Sequence, residues 1–135
     1  MLVALATALV LNCLTAVAAA PSVQTQFGTI SGSFKRLGAA GPLCEEFLGI
    51  PFAEPPARFQ SPRPWKSTYP GGVLHAETFG EACLQYQDPS VVGSEDCLYL
   101  NVWRPAGSSN ASNLAVMLWI HGGGFVEGAS ESPSE

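Results

Sequence analysis

His121-Gly122-Gly123-Gly124 follows directly on a run of seven apolar residues, Leu114-Ala115-Val116-Met117-Leu118-Trp119-Ile120. Consecutive glycines at a strand's end reach backbone dihedrals that a side chain forbids, and they let peptide N–H groups approach a ligand closely. Aimed at one point, such N–H groups stabilise negative charge building on an oxygen, and each contributes roughly 3–4 kcal/mol in acyl transfer. A triple glycine by itself is as readily a plain strand-to-loop turn. Two histidines, His75 and His121, are the candidate proton carriers by residue type. Four cysteines (Cys13, Cys44, Cys83, Cys97) include no Cys-x-x-Cys. The spacings of 39 and 14 residues from Cys44 onward carry no metal-site signal.

The elements that must position these groups are short. Val23-Gln24-Thr25-Gln26 alternates, Phe27-Gly28 turns, and Thr29-Ile30-Ser31-Gly32-Ser33-Phe34 alternates again, which predicts a β-hairpin. Glu46-Phe47-Leu48-Gly49-Ile50 reads as a short strand stopped by Pro51. Pro51, Pro55, Pro56, Pro62, Pro64 and Pro70 then exclude a helix or central strand over residues 51–72. Leu98-Tyr99-Leu100-Asn101-Val102-Trp103 reads as a strand ended by Arg104-Pro105. The unbroken apolar run 114–120 predicts a strand buried on both faces, as in a parallel sheet. Almost no helix is legible, yet a parallel sheet needs crossover helices on its faces. The chain therefore reads as cut, with residues 128–135 in mid-loop.

The chain has 135 residues, 47% hydrophobic and 13% charged, with 14 glycines and 11 prolines. That composition describes a loop-rich folded protein, neither disordered nor highly solvated. Its six basic residues are scattered and the formal net charge is −5, which argues against nucleic acid or an anionic membrane as partner. Residues 1–20 carry no charged side chain and end Ala18-Ala19-Ala20. This is the pattern of a secretory signal peptide cut at small residues between 18 and 20. About twenty apolar residues also suffice to span a bilayer, but the alanine-rich tail favours cleavage over a stable membrane span. Export leaves Cys44, Cys83 and Cys97 in an oxidising compartment, where three thiols make one disulfide and one free or later-paired thiol. Asn110-Ala111-Ser112 is a glycosylation sequon in a polar stretch, fitting that compartment.

Three segments, in this order, carry a resemblance: Phe47-Leu48-Gly49-Ile50-Pro51-Phe52-Ala53-Glu54-Pro55-Pro56, then Ser94-Glu95-Asp96-Cys97-Leu98-Tyr99-Leu100-Asn101-Val102, then Trp119-Ile120-His121-Gly122-Gly123-Gly124-Phe125. Together they resemble the type-B carboxylesterases and lipases, a family that includes secreted fungal lipases and the cholinesterases, and this chain looks fungal-lipase-like. The resemblance covers about residues 23–128. It implies an α/β class chain with the α/β-hydrolase fold, of which residues 21–135 supply the N-terminal strands and the oxyanion loop. The activity implied is a metal-free, cofactor-free carboxylic ester hydrolase acting on small-molecule or lipid esters.

The resemblance also implies residue roles. The N–H groups of Gly123 and Gly124 are the oxyanion donors. His121 supports the loop, His75 is an exposed loop residue, and neither transfers protons. Cys83 and Cys97 form the family's first disulfide, which in the chain-entropy model stabilises by about 3 kcal/mol. Glu95 is the buried carboxylate partner of Arg58. Residues 84–96 hold no tryptophan, so the cation stacking of cholinesterases is not expected. The nucleophile belongs in Gly-x-Ser-x-Gly, followed by the acid and the histidine. No such pentapeptide occurs; the nearest, Gly107-Ser108-Ser109-Asn110-Ala111, precedes a strand instead of following one. The expectation is a chain that holds oxyanion donors and lacks the nucleophile, acid, base and C-terminal part of its own domain. The alternative is a non-catalytic adhesion or binding member of the same fold, as among neuroligin-like proteins.

Overall fold

The computed structural model describes residues 19–109 and 111–130. The apolar leader, except Ala19 and Ala20, lies outside the described residues, as do Asn110 with its sequon and residues 131–135.

The predicted hairpin forms from β1 (Ser22–Thr25) and β2 (Gly28–Ser31), antiparallel with Val23 opposite Ile30. Its turn is held from inside, because the Thr25 hydroxyl donates to the Gly28 carbonyl at 2.8 Å and accepts from Phe27 N–H at 3.1 Å. The alternation continues past Gly32 into β3 (Ser33–Arg36), which leaves the hairpin and pairs antiparallel with β4 (Leu43–Pro51). The strand expected over residues 46–50 is thus longer at both ends. Pro51 is tolerated because it stands at the strand's last position, where no ladder N–H is required of it.

The proline-rich stretch contains only the two-residue strands β5 (Ala53–Glu54) and β6 (Arg63–Pro64) and a 3-10 turn at Pro70–Gly72. That turn is the one helical element among the described residues, a short exception to the expected exclusion of helix. β7 (Val73–His75) then adds to β2 in parallel, so His75 closes a strand instead of lying in a loop, and it is exposed. A small hairpin, β8 (Gln85–Gln87) and β9 (Ser90–Val92), precedes β10 (Tyr99–Pro105).

β10 pairs with β4 and completes a second three-stranded sheet in the order β10-β4-β3. It continues through Arg104 and Pro105, where the sequence predicted its end. The register slips once: Leu100 faces Ile50 and Val102 faces Phe47, which leaves Leu48 and Gly49 opposite Asn101. This is a β-bulge with glycine at its left-handed position, Gly49 at φ 67°. The Asn101 side-chain oxygen accepts the Gly49 N–H at 2.8 Å and so satisfies the donor that the bulge takes out of the ladder.

The core lies where both sheets meet the proline-rich wrap. Ile30, Phe47, Tyr69 and Ala76 are buried, and Val23, Phe27, Ile50, Trp65 and Leu74 pack against them. The Trp65 and Tyr69 rings stack at 6.2 Å between centroids, which is how a segment unable to join a sheet still contributes apolar burial. Cys44 is buried and unpaired, with its thiol 3.4 Å from the Lys35 carbonyl.

Arg104 stays in the strand because a buried carboxylate holds it. Glu45 accepts from Arg104 Nε at 2.6 Å and from Gly107 N–H at 2.9 Å. Burial pushes the Glu45 carboxyl up, but the Gly107 N–H and the Arg104 guanidinium outweigh it and leave it below the usual carboxylate range. A depressed carboxyl contributes stability that is complete above its unfolded value, about 4.3, and is lost as pH falls through its folded value. Glu45→Gln is therefore expected to cost about 2 kcal/mol at pH 7. Melting at pH 7 and pH 3 checks this: the deficit shrinks at pH 3, and an equal deficit at both would sink the assignment.

The largest departure from expectation is the apolar run 114–120. It forms no strand, and Val116, Met117, Leu118, Trp119 and Ile120 are 70–98% exposed. A central strand needs a neighbour for its N–H and C=O groups, and none of the described strands pairs with this run.

Candidate functional site

The glycine loop begins where the apolar run ends. Gly123 has φ 125° and Gly124 φ 61°, and Gly128 closes the loop at φ 119°. A Cβ on Gly123 would lie 1.7 Å from the Glu127 carbonyl oxygen, closer than any real contact. That proximity exists because the Gly123 carbonyl accepts N–H bonds from both Val126 and Glu127 at 3.1 Å, which folds the loop into a tight turn. Gly124 meets nothing within 4 Å, and its αL dihedral matches that of Phe125, φ 64°, so this position is costly for a side chain but not closed to one. Among the described residues, no backbone acceptor takes the N–H of Gly123 or Gly124. Both donors are available to a ligand oxygen.

Among the described residues, no hydroxyl or thiol is hydrogen-bonded to His121. Its Nδ1 lies 2.7 Å from the Gly122 carbonyl, and its ring lies against Gly128, where an added Cβ would sit 2.4 Å from Nδ1. The imidazole therefore packs within the loop. His75 sits at the end of the other sheet. Ser109, at the nucleophile position of the nearest approach to that pentapeptide, accepts the Ala111 N–H on its hydroxyl at 3.3 Å and donates its own N–H to the Ser112 hydroxyl at 3.0 Å, so it serves the turn after β10.

The second segment builds the floor beside the loop. Cys83 and Cys97 are joined, with Cα atoms 4.9 Å apart. Ser94 N–H donates to the Ala82 carbonyl at 2.8 Å, and the Ser94 hydroxyl accepts from Asp96 N–H at 3.1 Å, so the chain enters Cys97 in a defined turn. Arg58 forms an ion pair with Glu95. Its side chains are 66% and 54% exposed, which corrects the expectation of a buried carboxylate. The pair sits on loops that no described element covers, and an exposed pair contributes at most about 1 kcal/mol. The Tyr99 phenol, at the start of β10, is pushed up to about 12 by burial and then by Asp96 and Glu81. It stays a neutral hydroxyl at physiological pH.

Gln85 is the site residue that sequence reasoning missed. It is buried, on β8 inside the disulfide loop, and its carboxamide spans the backbone N–H and C=O of Gly128. Nε2 donates to the Gly128 carbonyl at 3.0 Å and the Gly128 N–H donates to Oε1 at 2.8 Å. A glutamine two residues after a cysteine has no local signature, because its partner lies 43 residues away.

Among the described residues, no group of three or more His, Cys, Asp or Glu side chains is placed to hold a metal ion. No helix among them is long and apolar enough to cross a membrane.

Comparison with known proteins places these features in one family. The family model described as "Carboxylesterase family" matches residues 19–134. The chain is similar to the human bile salt-activated lipase, 43% identical over an alignment of 127 residues, gaps included, that covers 88% of this chain and 16% of the lipase. It is also similar to a medium-chain fatty acyl-CoA hydrolase precursor of the duck Anas platyrhynchos, 38% identical over 133 residues, 83% of this chain and 23% of that protein. The acetylcholinesterase of Electrophorus electricus is 48% identical over 100 residues, 62% of this chain and 15% of the enzyme. The chain thus spans less than a quarter of the length of these relatives. With the family model matching nearly end to end, the chain belongs to the carboxylesterase family.

Proposed function

We propose that this chain is the N-terminal part of a secreted serine hydrolase of carboxylic esters with the α/β-hydrolase fold. Residues 1–20 are its export signal, and residues 21–135 provide the first strands and the oxyanion loop. The observation that carries this reading is the pair of unengaged N–H donors at Gly123 and Gly124, held by a turn that needs glycine at φ 125°. Relatives named as lipase, acyl-CoA hydrolase, cocaine esterase and pyrethroid hydrolase support the ester or thioester as substrate class.

In this mechanism a serine outside these 135 residues attacks the ester carbonyl carbon while a histidine, also outside them, takes its proton. The carbonyl π electrons move to oxygen, and the Gly123 and Gly124 N–H groups donate to that oxyanion. Collapse expels the alcohol, which receives the proton from histidine and leaves an acyl-enzyme. Water then repeats the sequence and releases the acid. No metal or cofactor takes part.

Fluorophosphonate labelling of the 135-residue chain, and of a longer protein that contains it, tests the proposal. The short chain is expected to take no label and to hydrolyse an activated short-chain ester at background rate. The longer protein is expected to take one label on a serine downstream of residue 135. Absence of label on the longer protein favours the non-catalytic binding member of the family, and a labelled serine within residues 1–135 overturns the assignment of roles.

A further inference from the structure

We infer that Gln85 is the positioning residue of the glycine loop, locking the Gly123 and Gly124 donors to the disulfide-braced floor; this rests on the oxyanion reading above. Among the described residues, every hydrogen bond between residues 121–128 and the rest of the chain runs through the Gln85 carboxamide. A primary amide is complementary to the backbone N–H and C=O of one residue, offering one acceptor and one donor on the same side. Gln85 uses both on Gly128, at 3.0 and 2.8 Å, and spends its remaining Nε2 hydrogen on the Cys83 carbonyl at 3.1 Å. All the capacity of its NH2 group is engaged, and the residue is only 7% exposed.

The lock is transmitted through packing. Gly128 lies so close to the Gly122 carbonyl and the His121 ring that a Cβ would meet both at 2.4 Å. Holding Gly128 therefore holds the peptide that leads into Gly123. At the other end, Gln85 is two residues from Cys83, which is bonded to Cys97. A chain of contacts runs from the disulfide through Gln85 and Gly128 to the donors. It gives a single mechanical purpose to two segments that lie far apart in the sequence. Neighbouring groups on the disulfide loop do not do this: Leu84 and Tyr86 are exposed.

The test uses a longer protein that contains this chain, with Gln85→Leu, which removes both bonds to Gly128 and the one to Cys83 at similar volume, and Gln85→Glu, which keeps the acceptor. Hydrogen exchange of the Val126, Glu127 and Gly128 amides reads the order of the loop, and kcat and KM on an activated ester read its use. Gln85→Leu is expected to speed exchange at these three amides roughly tenfold while β1 and β2 amides stay as in wild type. It is expected to lower kcat by a similar factor with KM little changed. In Gln85→Glu the protonated carboxyl can still donate to the Gly128 carbonyl, so its kcat relative to wild type is expected to rise as pH falls from 8 to 5. A residue that merely supports stability would show no such profile. Unchanged exchange in Gln85→Leu overturns the inference, and faster exchange with unchanged turnover overturns it too, since catalysis would then not use the lock. Failure of the wild-type protein to take a fluorophosphonate label is a separate outcome: it removes the oxyanion reading, while the exchange measurement still decides whether Gln85 orders the loop.

Discussion

Gly123→Ala in the longer protein is expected to lower kcat by about 10²–10³ while KM changes little. The methyl group would land 1.7 Å from the Glu127 carbonyl in a backbone already at φ 125°. Relief requires the turn to open, which breaks the bonds from Val126 and Glu127 to the Gly123 carbonyl and swings the N–H donors away. On the proposed oxyanion role the donors act mainly in the transition state, so the loss falls on kcat. Gly124→Ala is the graded companion. Its Cβ meets nothing within 4 Å and its φ of 61° is the left-handed well, costing about 1–2 kcal/mol, so a loss of about tenfold is expected. The order of the two variants is the discriminating result. A Gly124→Ala loss equal to or larger than that of Gly123→Ala, or losses confined to KM, would contradict the placement of the donors.

The 135-residue chain, expressed into an oxidising compartment, is expected to self-associate at micromolar concentration. Residues 116–120 present Val, Met, Leu, Trp and Ile at 70–98% exposure, and none of the described strands pairs with them. Burying even three such side chains is worth roughly 5–9 kcal/mol, comparable to the net stability of a whole domain. An exposed apolar segment that pairs with none of the described strands is also a template for pairing with another copy. Size-exclusion chromatography with light scattering reads the association, and Trp119 fluorescence shifts to the blue as the segment is covered. Replacing Val116 and Leu118 with lysine is expected to return the chain to monomer, since charge at these positions opposes strand stacking. A wild-type monomer with a sharp cooperative melt would show that the exposed run is harmless.

What the sequence by itself determined is what local chemistry controls. Alternation over residues 23–34 placed the β1–β2 hairpin, because side-chain period and turn residues act within a few positions. The prolines that follow Pro51 kept residues 52–72 out of both main sheets, as the missing N–H requires. Glycines 123 and 124 were legible as a backbone device because only glycine reaches φ 125° without strain. The three motif segments, read together, pointed to the carboxylesterase family. Tertiary structure decided whatever depends on a distant partner. β4 extends to Leu43 because β3 and β10 pair along both its edges, and β10 keeps Arg104 because Glu45, 59 residues earlier, is buried beneath it. The Arg58–Glu95 pair is exposed because nothing among the described residues covers it. The run 114–120 has the composition of a buried strand, yet it is exposed, since burial belongs to the neighbours a segment finds and not to the segment. Gln85 could not be read from its surroundings for the same reason: a carboxamide has no preferred partner until folding brings Gly128 to it.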